Sequence, residues 1–149
     1  MRERQLSVIK AVLDTNVVIA AHLSNNPGSP TREIIDRWRA EEFIQVYSAE
    51  TLTELTEKLW EKGVALDLIE KYTADLVRLG KFVRLDPKDI KRVILDDPDD
   101  DVVIACAVKG GADYLVTYDP HFDVLGGEYK GVRIVNALEF LEALRRGGK

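Results

Sequence analysis

Residues 96–119 read DDPDDDVVIACAVKGGADYLVTYD, and the order of chemistry along them points to the architecture of the whole chain. Five carboxylates surround Pro98, an apolar run follows, two glycines close it, and a second apolar run ends at Thr117 and Asp119. Pro98 suits a first helical position and pushes Asp97 into the extended conformation of an N-cap. Residues 100–111 then read as a helix, and 113–119 as a strand with a loop behind it. Asp97 and Asp100 have capping-box spacing, and acids at a helix start interact favourably with its dipole. Capping does not account for Asp100. It shares a helical face with Val103, Ile104 and Ala107, so its carboxylate points to the core side and needs a partner or a cation. Asp101 is turned about 100° away, toward Ile104, Ala105 and Val108. Asp96 and Asp99 read as solvated charge.

Working outward, the same alternation recurs. Residues 7–15, 43–47, 81–85 and 132–135 read as further strands, each mostly apolar. Residues 30–42, 48–63, 65–80 and 136–146 read as helices, with Ser48 and Asn136 as N-caps and Gly63 as a stop. Another helix begins near Val17. Apolar strands alternating with helices predict an α/β fold, a three-layer α/β/α sandwich with a central, mostly parallel sheet of about five strands. At 149 residues the chain suits one domain, 1–149.

Bulk composition narrows the class. The chain is 46% hydrophobic and 32% charged, ordinary for a globular protein. Its single cysteine, Cys106, lies in an apolar run and reads as a small buried hydrophobe in a reducing compartment. The start, MRERQLSVIK, lacks the apolar stretch of a signal peptide, and no run reaches membrane-spanning length. The expectation is a soluble, cytoplasmic protein with no membrane partner. A net charge of −5 argues against broad nonspecific binding to nucleic acid, but not against one whose phosphates are met through bound metal.

Four acids lie where a parallel sheet gathers strand C-termini and helix N-termini: Asp14, Glu54, Asp100 and Asp119. Each has a structural alternative. Glu54 could pair with Lys58, with Glu50 and Glu57 as rival acids on its helix. Asp119 precedes Pro120 and could be a turn residue. Asn16 could hold the Asp14 carboxylate or cap the following helix. Thr117 could satisfy local backbone or orient a water. Asp14, ending a core strand before Thr-Asn, has the weakest structural excuse. His22 and His121 form no zinc pattern. Carboxylates alone are hard ligands suited to Mg²⁺ or Mn²⁺, and without an ion they would repel one another. Such an ion can activate water and neutralise a phosphodiester during in-line cleavage.

These residues resemble the PIN-domain nuclease family, and the likeness covers most of the chain. VLDTNVVIAA is similar to its first motif, SAETLTELTEKL to its second, and DPDDDVVIACAVKGGADYLVTYD to its third and fourth joined. The resemblance implies metal ligands Asp14, Glu54, Asp100 and Asp119, with Asn16 and Thr117 in support and Asp97 as a recurrent acid of the DPDD subgroup. Counting back from IACA favours Asp100, whereas counting back from LVT favours Asp101; the core-facing stripe selects Asp100. The resemblance further implies metal-dependent cleavage of single-stranded RNA, often by the toxin of a toxin–antitoxin pair with an antitoxin protein as partner, and often as a homodimer. Lys58, Lys62, Lys71, Arg78, Lys81 and Arg84 either guide phosphate or lie on solvated faces. Two rival readings stand beside it. A non-catalytic PIN-like scaffold or nucleic-acid-binding module would have lost its acids. A haloacid-dehalogenase-like phosphatase would need an acid/base aspartate where Asn16 stands.

Overall fold

Successive residues of the central strands enter two different cores, the signature of a sheet covered on both faces. A computed structural model describes residues 8–95 and 97–147. Asp96, and the beginning of the expected first strand, lie outside the described residues. The elements run β1 (Lys10–Leu13), α1 (Thr15–Leu23), α2 (Pro30–Arg39), β2 (Ile44–Tyr47), α3 (Ala49–Glu61), α4 (Leu66–Leu79), β3 (Lys81–Phe82), α5 (Pro98–Lys109), β4 (Tyr114–Val116), β5 (Glu128–Tyr129), β6 (Val132–Val135) and α6 (Ala137–Arg145). Ala11, Leu13, Tyr47, Tyr114 and Val116 face one core, filled from α1, α2, α3, α4 and α6 by side chains such as Val17, Trp38, Leu59, Tyr72 and Phe140. Val12, Val46, Leu115 and Val132 face the other, where α5 supplies Val103, Cys106 and Ala107. Cys106 is fully buried, as its apolar setting predicts.

The sheet order is β3-β2-β1-β4-β6-β5. All neighbouring pairs are parallel except β5 with β6. The fold is the expected three-layer α/β/α sandwich. It has six strands instead of about five, because a short antiparallel strand precedes β6. The chain builds outward from β1 through β2 to β3, then returns to the other side of β1 with β4. The order therefore reverses between β1 and β4, a switch point at whose carboxyl ends ligands bind in open α/β sheets.

Local chemistry explains where elements differ from the expected ranges. α1 starts at Thr15, two residues early, because Asp14 is its N-cap and accepts from the Thr15 amide. α2 ends at Arg39 and not at 42, since Glu41 adopts a left-handed φ of 63° that stops propagation. The segment after β4 leaves the sheet at Thr117 and forms a 3₁₀ turn, Pro120–Leu125, capped by Asp119. α5 closes with Gly110 and Gly111, the latter at φ 68°.

Gly110 is required for packing. A Cβ there would lie 2.5 Å from Val46 Cγ1 and 2.8 Å from Val83 Cγ2, both stiff β-branched side chains in the core. Gly110→Ala is expected to destabilise the protein by about 1–3 kcal/mol, seen as a lower Tm in thermal denaturation. Gly28→Ala, whose nearest neighbour would be Asn26 Oδ1 at 3.4 Å, is expected to leave stability within about 0.5 kcal/mol of wild type.

Candidate metal centre

The switch point is held by one hydroxyl. Asp14 leaves β1 with its amide donating to Val116 O at 2.9 Å, which fixes it beside the end of β4. Thr117 Oγ1 donates to Asp14 Oδ2 at 2.7 Å and accepts from the Asp119 amide at 2.9 Å. Thr117, buried at the end of β4, thus ties the first acid to the last across 103 residues of chain. Asp14 Oδ1 accepts from Thr15 N at 2.9 Å, so each of its oxygens keeps lone-pair capacity after one hydrogen bond.

α5 brings the third acid. Asp97 caps the helix by accepting from Asp99 N at 2.9 Å, not through the capping box with Asp100 that the spacing suggests. Asp100 is thereby left for other contacts. Its Oδ2 lies 3.0 Å from His121 Nδ1, and that nitrogen is 3.4 Å from Asp119 Oδ1. One ligand atom each from Asp97, Asp100 and His121 can be chosen so that all lie within 4.8 Å of one another. Glu54 on α3 is half-buried and feels the charges of Asp99, Asp14 and Asp97, while Glu50 and Glu57 on the same helix are exposed.

Electrostatics shows that these acids share one environment. Burial pushes the Asp14 carboxyl above its ordinary range; Thr117 and Thr15 pull it back, and the charges of Asp119 and Asp97 raise it again. Burial pushes Glu54 up to about 7, reinforced by Asp99 and Asp14 and only partly countered by Lys58. Burial pushes Asp100 up to about 6, opposed by the His121 hydrogen bond and reinforced by Asp119, Asp97 and Asp14. Asp99 is exposed, as expected of a solvated acid, yet its charge reaches Glu54. Clustered carboxylates that raise one another are chemically matched to a divalent cation. The donor set fits one, with oxygen ligands predominant and one imidazole at hand.

Asp101 does not belong to this group. Its side chain is 1% exposed. Oδ1 accepts from the amides of Val93 and Ile94 at 2.8 and 2.6 Å, and Oδ2 lies 3.3 Å from Arg92 Nε. It anchors the 92–94 segment over α5, on the side away from Asp100, and it is more deeply buried than its turn away from the core stripe suggests. Asn16 has neither expected role. Asp14 caps α1 in its place, and Asn16 Oδ1 accepts a long 3.4 Å hydrogen bond from Tyr118 N, joining α1 to the loop after β4. Four of the six basic residues considered as phosphate guides are engaged elsewhere. Lys71 and Arg78 bind Asp75, Arg84 lies 3.6 Å from Asp86, and Lys81 donates to Gly110 O.

His121 is the residue that sequence reasoning missed. Without a second histidine at ligand spacing it looked idle, and only the 3₁₀ turn after Asp119 swings it back to Asp100. The available signal was its place two residues after a strand-end acid and a proline.

Comparison with known proteins agrees with this architecture. The sequence profile described as PIN domain matches residues 10–121. No curated protein sequence matches the chain significantly. Among solved structures, PAE2754 from Pyrobaculum aerophilum superposes with a TM-score of 0.61 at 18% identity, covering 93% of this chain and 90% of that one. VapBC2 from Rickettsia felis, bound to a DNA fragment from its promoter, gives a TM-score of 0.57 at 14% identity, covering 86% and 98%. Mycobacterium tuberculosis VapC20, a toxin that cleaves the sarcin–ricin loop, gives 0.58 at 13% identity, covering 83% and 98%. Such identities establish a shared fold alone. The profile match spans most of the chain, from β1 to the turn that carries His121, and by it the chain belongs to the PIN-domain family.

Proposed function

We propose that the chain is a metal-dependent endoribonuclease that hydrolyses phosphodiester bonds of single-stranded RNA, with Asp14, Glu54, Asp100 and Asp119 as ligands of Mg²⁺ or Mn²⁺. The observation that carries this reading is the Thr117 hydroxyl placed between Asp14 and Asp119 at the switch point, with Asp100 and His121 alongside. A divalent ion held there would lower the pKa of a water and neutralise charge on the phosphodiester being cut. The protein's own share is positioning. Thr117 fixes the rotamer of Asp14, the cap at Asp97 turns Asp100 inward, and His121 orients the Asp100 carboxylate. A cleft of about 320 Å³ adjoins Asp119, bordered by Tyr118, Asn136 and Glu139. Tyr118, half exposed, offers a ring on which an unpaired base can stack. This suits a single strand better than a duplex. The toxin of a toxin–antitoxin pair is the biological role that fits best, supported by the VapBC2 complex among the structures sharing the fold. A homodimer in the cytoplasm is the corresponding assembly. Exposed Trp60 and Val77 are consistent with such association, and among the described residues no helix is long and apolar enough to cross a membrane.

Three outcomes test this reading. Isothermal titration with Mn²⁺, paired with cleavage of a generic single-stranded RNA, is expected to show both activities in the wild type. Asp14→Asn should reduce each by more than about 100-fold, and Thr117→Val, which removes only the orienting hydroxyl, by about 10–100-fold. A wild type that binds no divalent ion and cuts no RNA would instead favour the non-catalytic module.

The second outcome concerns pH. Glu54 and Asp100 have raised folded-state pKa values, so the fold favours their protonated forms. Their contribution to the stability of the metal-free protein is present at low pH and is lost as pH rises through about 6 for Asp100 and about 7 for Glu54. Metal requires the ionised forms. The Tm difference between Mn²⁺ and chelator should therefore widen steadily across this window, and Glu54→Gln should flatten it.

The third separates the two adjacent acids. Asp101→Ala leaves the buried amides of Val93 and Ile94 unpaired and should cost about 2–4 kcal/mol of stability, with Mn²⁺ affinity preserved in the folded fraction. Asp100→Asn should do the reverse, leaving Tm largely intact and weakening the ion.

A further inference from the structure

The two faces of the sheet are covered unequally. Five helices pack on one side, whereas α5 is the one α-helix that fills the core on the other. A groove of about 420 Å³ opens on the outer flank of α5, between the 88–93 segment and the β5 turn. Its floor is apolar, formed by Ile104 and Ala105, and its walls carry Val93, Val108 and the Tyr129 ring. Lys88, Lys91 and Lys130 stand exposed on its rim. The acids in its lining are already engaged: Asp89 by Lys109 at 2.8 Å, and Asp101 by Arg92 and two backbone amides. The groove therefore presents an excess of positive charge, four lysines against two aspartates, around an apolar floor, on a chain whose net charge is −5.

We propose that this groove is a docking site for an acidic, amphipathic peptide segment of a partner protein. Apolar side chains of the segment would seat against Val93, Val108 and Tyr129, and its carboxylates would meet Lys88, Lys91 and Lys130. Charge complementarity selects this occupant. A second copy of the chain related by a two-fold axis would bring these lysines against their own equivalents, a like-charge juxtaposition. A nucleic acid would gain little from an apolar floor, since its affinity comes mainly from its phosphates. An acidic amphipathic segment matches both features, the pattern by which helices are recognised in apolar grooves. The groove stands apart from the acidic edge, so this inference does not depend on the nuclease reading.

The test is fluorescence anisotropy on the full chain with three labelled probes: a synthetic amphipathic peptide carrying leucines at helical spacing and glutamates elsewhere, the same peptide with lysines for glutamates, and a single-stranded oligonucleotide. The glutamate peptide is expected to bind, and to bind more weakly as salt rises. Combined Lys88→Glu, Lys91→Glu and Lys130→Glu should weaken it by about tenfold or more. Val108→Gln should weaken it with charge unchanged, and Arg146→Glu, at the end of α6, should have no effect. Circular dichroism on each variant confirms folding. Failure of the glutamate peptide to bind, equal binding of the lysine peptide, or indifference to the lysine reversals would overturn the proposal. So would oligonucleotide binding that depends on the same three lysines, which assigns the groove to nucleic acid, or a dimer in sedimentation that Val108→Gln dissociates, which assigns it to a second copy.

Discussion

The hydrogen bond from Thr117 to Asp14 is the interaction on which the site is organised. Parallel pairing of β1 with β4 sets the two chain segments side by side, but pairing alone leaves their side chains free to turn. A buried hydroxyl that donates to Asp14 fixes that carboxylate, and by accepting from the Asp119 amide it holds the backbone of the loop after β4. It also gives a buried carboxylate a partner, which its burial demands. Everything else at the edge is placed relative to this pair. α5 comes in behind β4 with its N-terminus at the same level, and the turn after Asp119 folds His121 onto Asp100.

Gathering acids at one edge opposes folding, and the rest of the molecule must offset it. Burial raises the carboxyl pKa values of Asp14, Glu54 and Asp100, and neighbouring acids add to the rise. Elsewhere the chain treats buried acids differently. Asp75, 8% exposed on its side chain, is surrounded by Arg39, Lys71 and Arg78, and its carboxyl is held below the ordinary range. Asp101 is met by two amides and an arginine. The contrast is informative: Asp75 and Asp101 are met by cationic side chains, whereas Asp14 and Asp100 are met by a hydroxyl, an amide and an imidazole and feel the charges of neighbouring acids.

Much of this was legible in the residues. Alternating apolar strands and helices gave the layer architecture, and strand ends with helix starts located the edge. Ser48, Asn136 and the Gly110–Gly111 pair act as the caps and stops their chemistry suggests. The facing of Asp100 was legible from its helical stripe. What stayed hidden depends on tertiary contact. Asp101 stood as the rival to Asp100, and its contacts stayed hidden because the 92–94 segment that buries it carries no periodic signal. Of the two readings left open for Asn16, capping gives way because Asp14 itself serves as the helix cap, a double duty no local pattern reveals. His121 was passed over because a lone histidine has meaning only once a turn brings it to an acid. β5 is two residues long, below what alternation can register.

The most direct measurement is a crystal of the protein soaked in Mn²⁺, with anomalous difference density used to place the ion. The account predicts a peak coordinated by the carboxylates of Asp14, Glu54, Asp100 and Asp119, with Asp101 still bound to the amides of Val93 and Ile94. A peak on Asp101, or a fully soaked crystal with no density at the switch point, would contradict it.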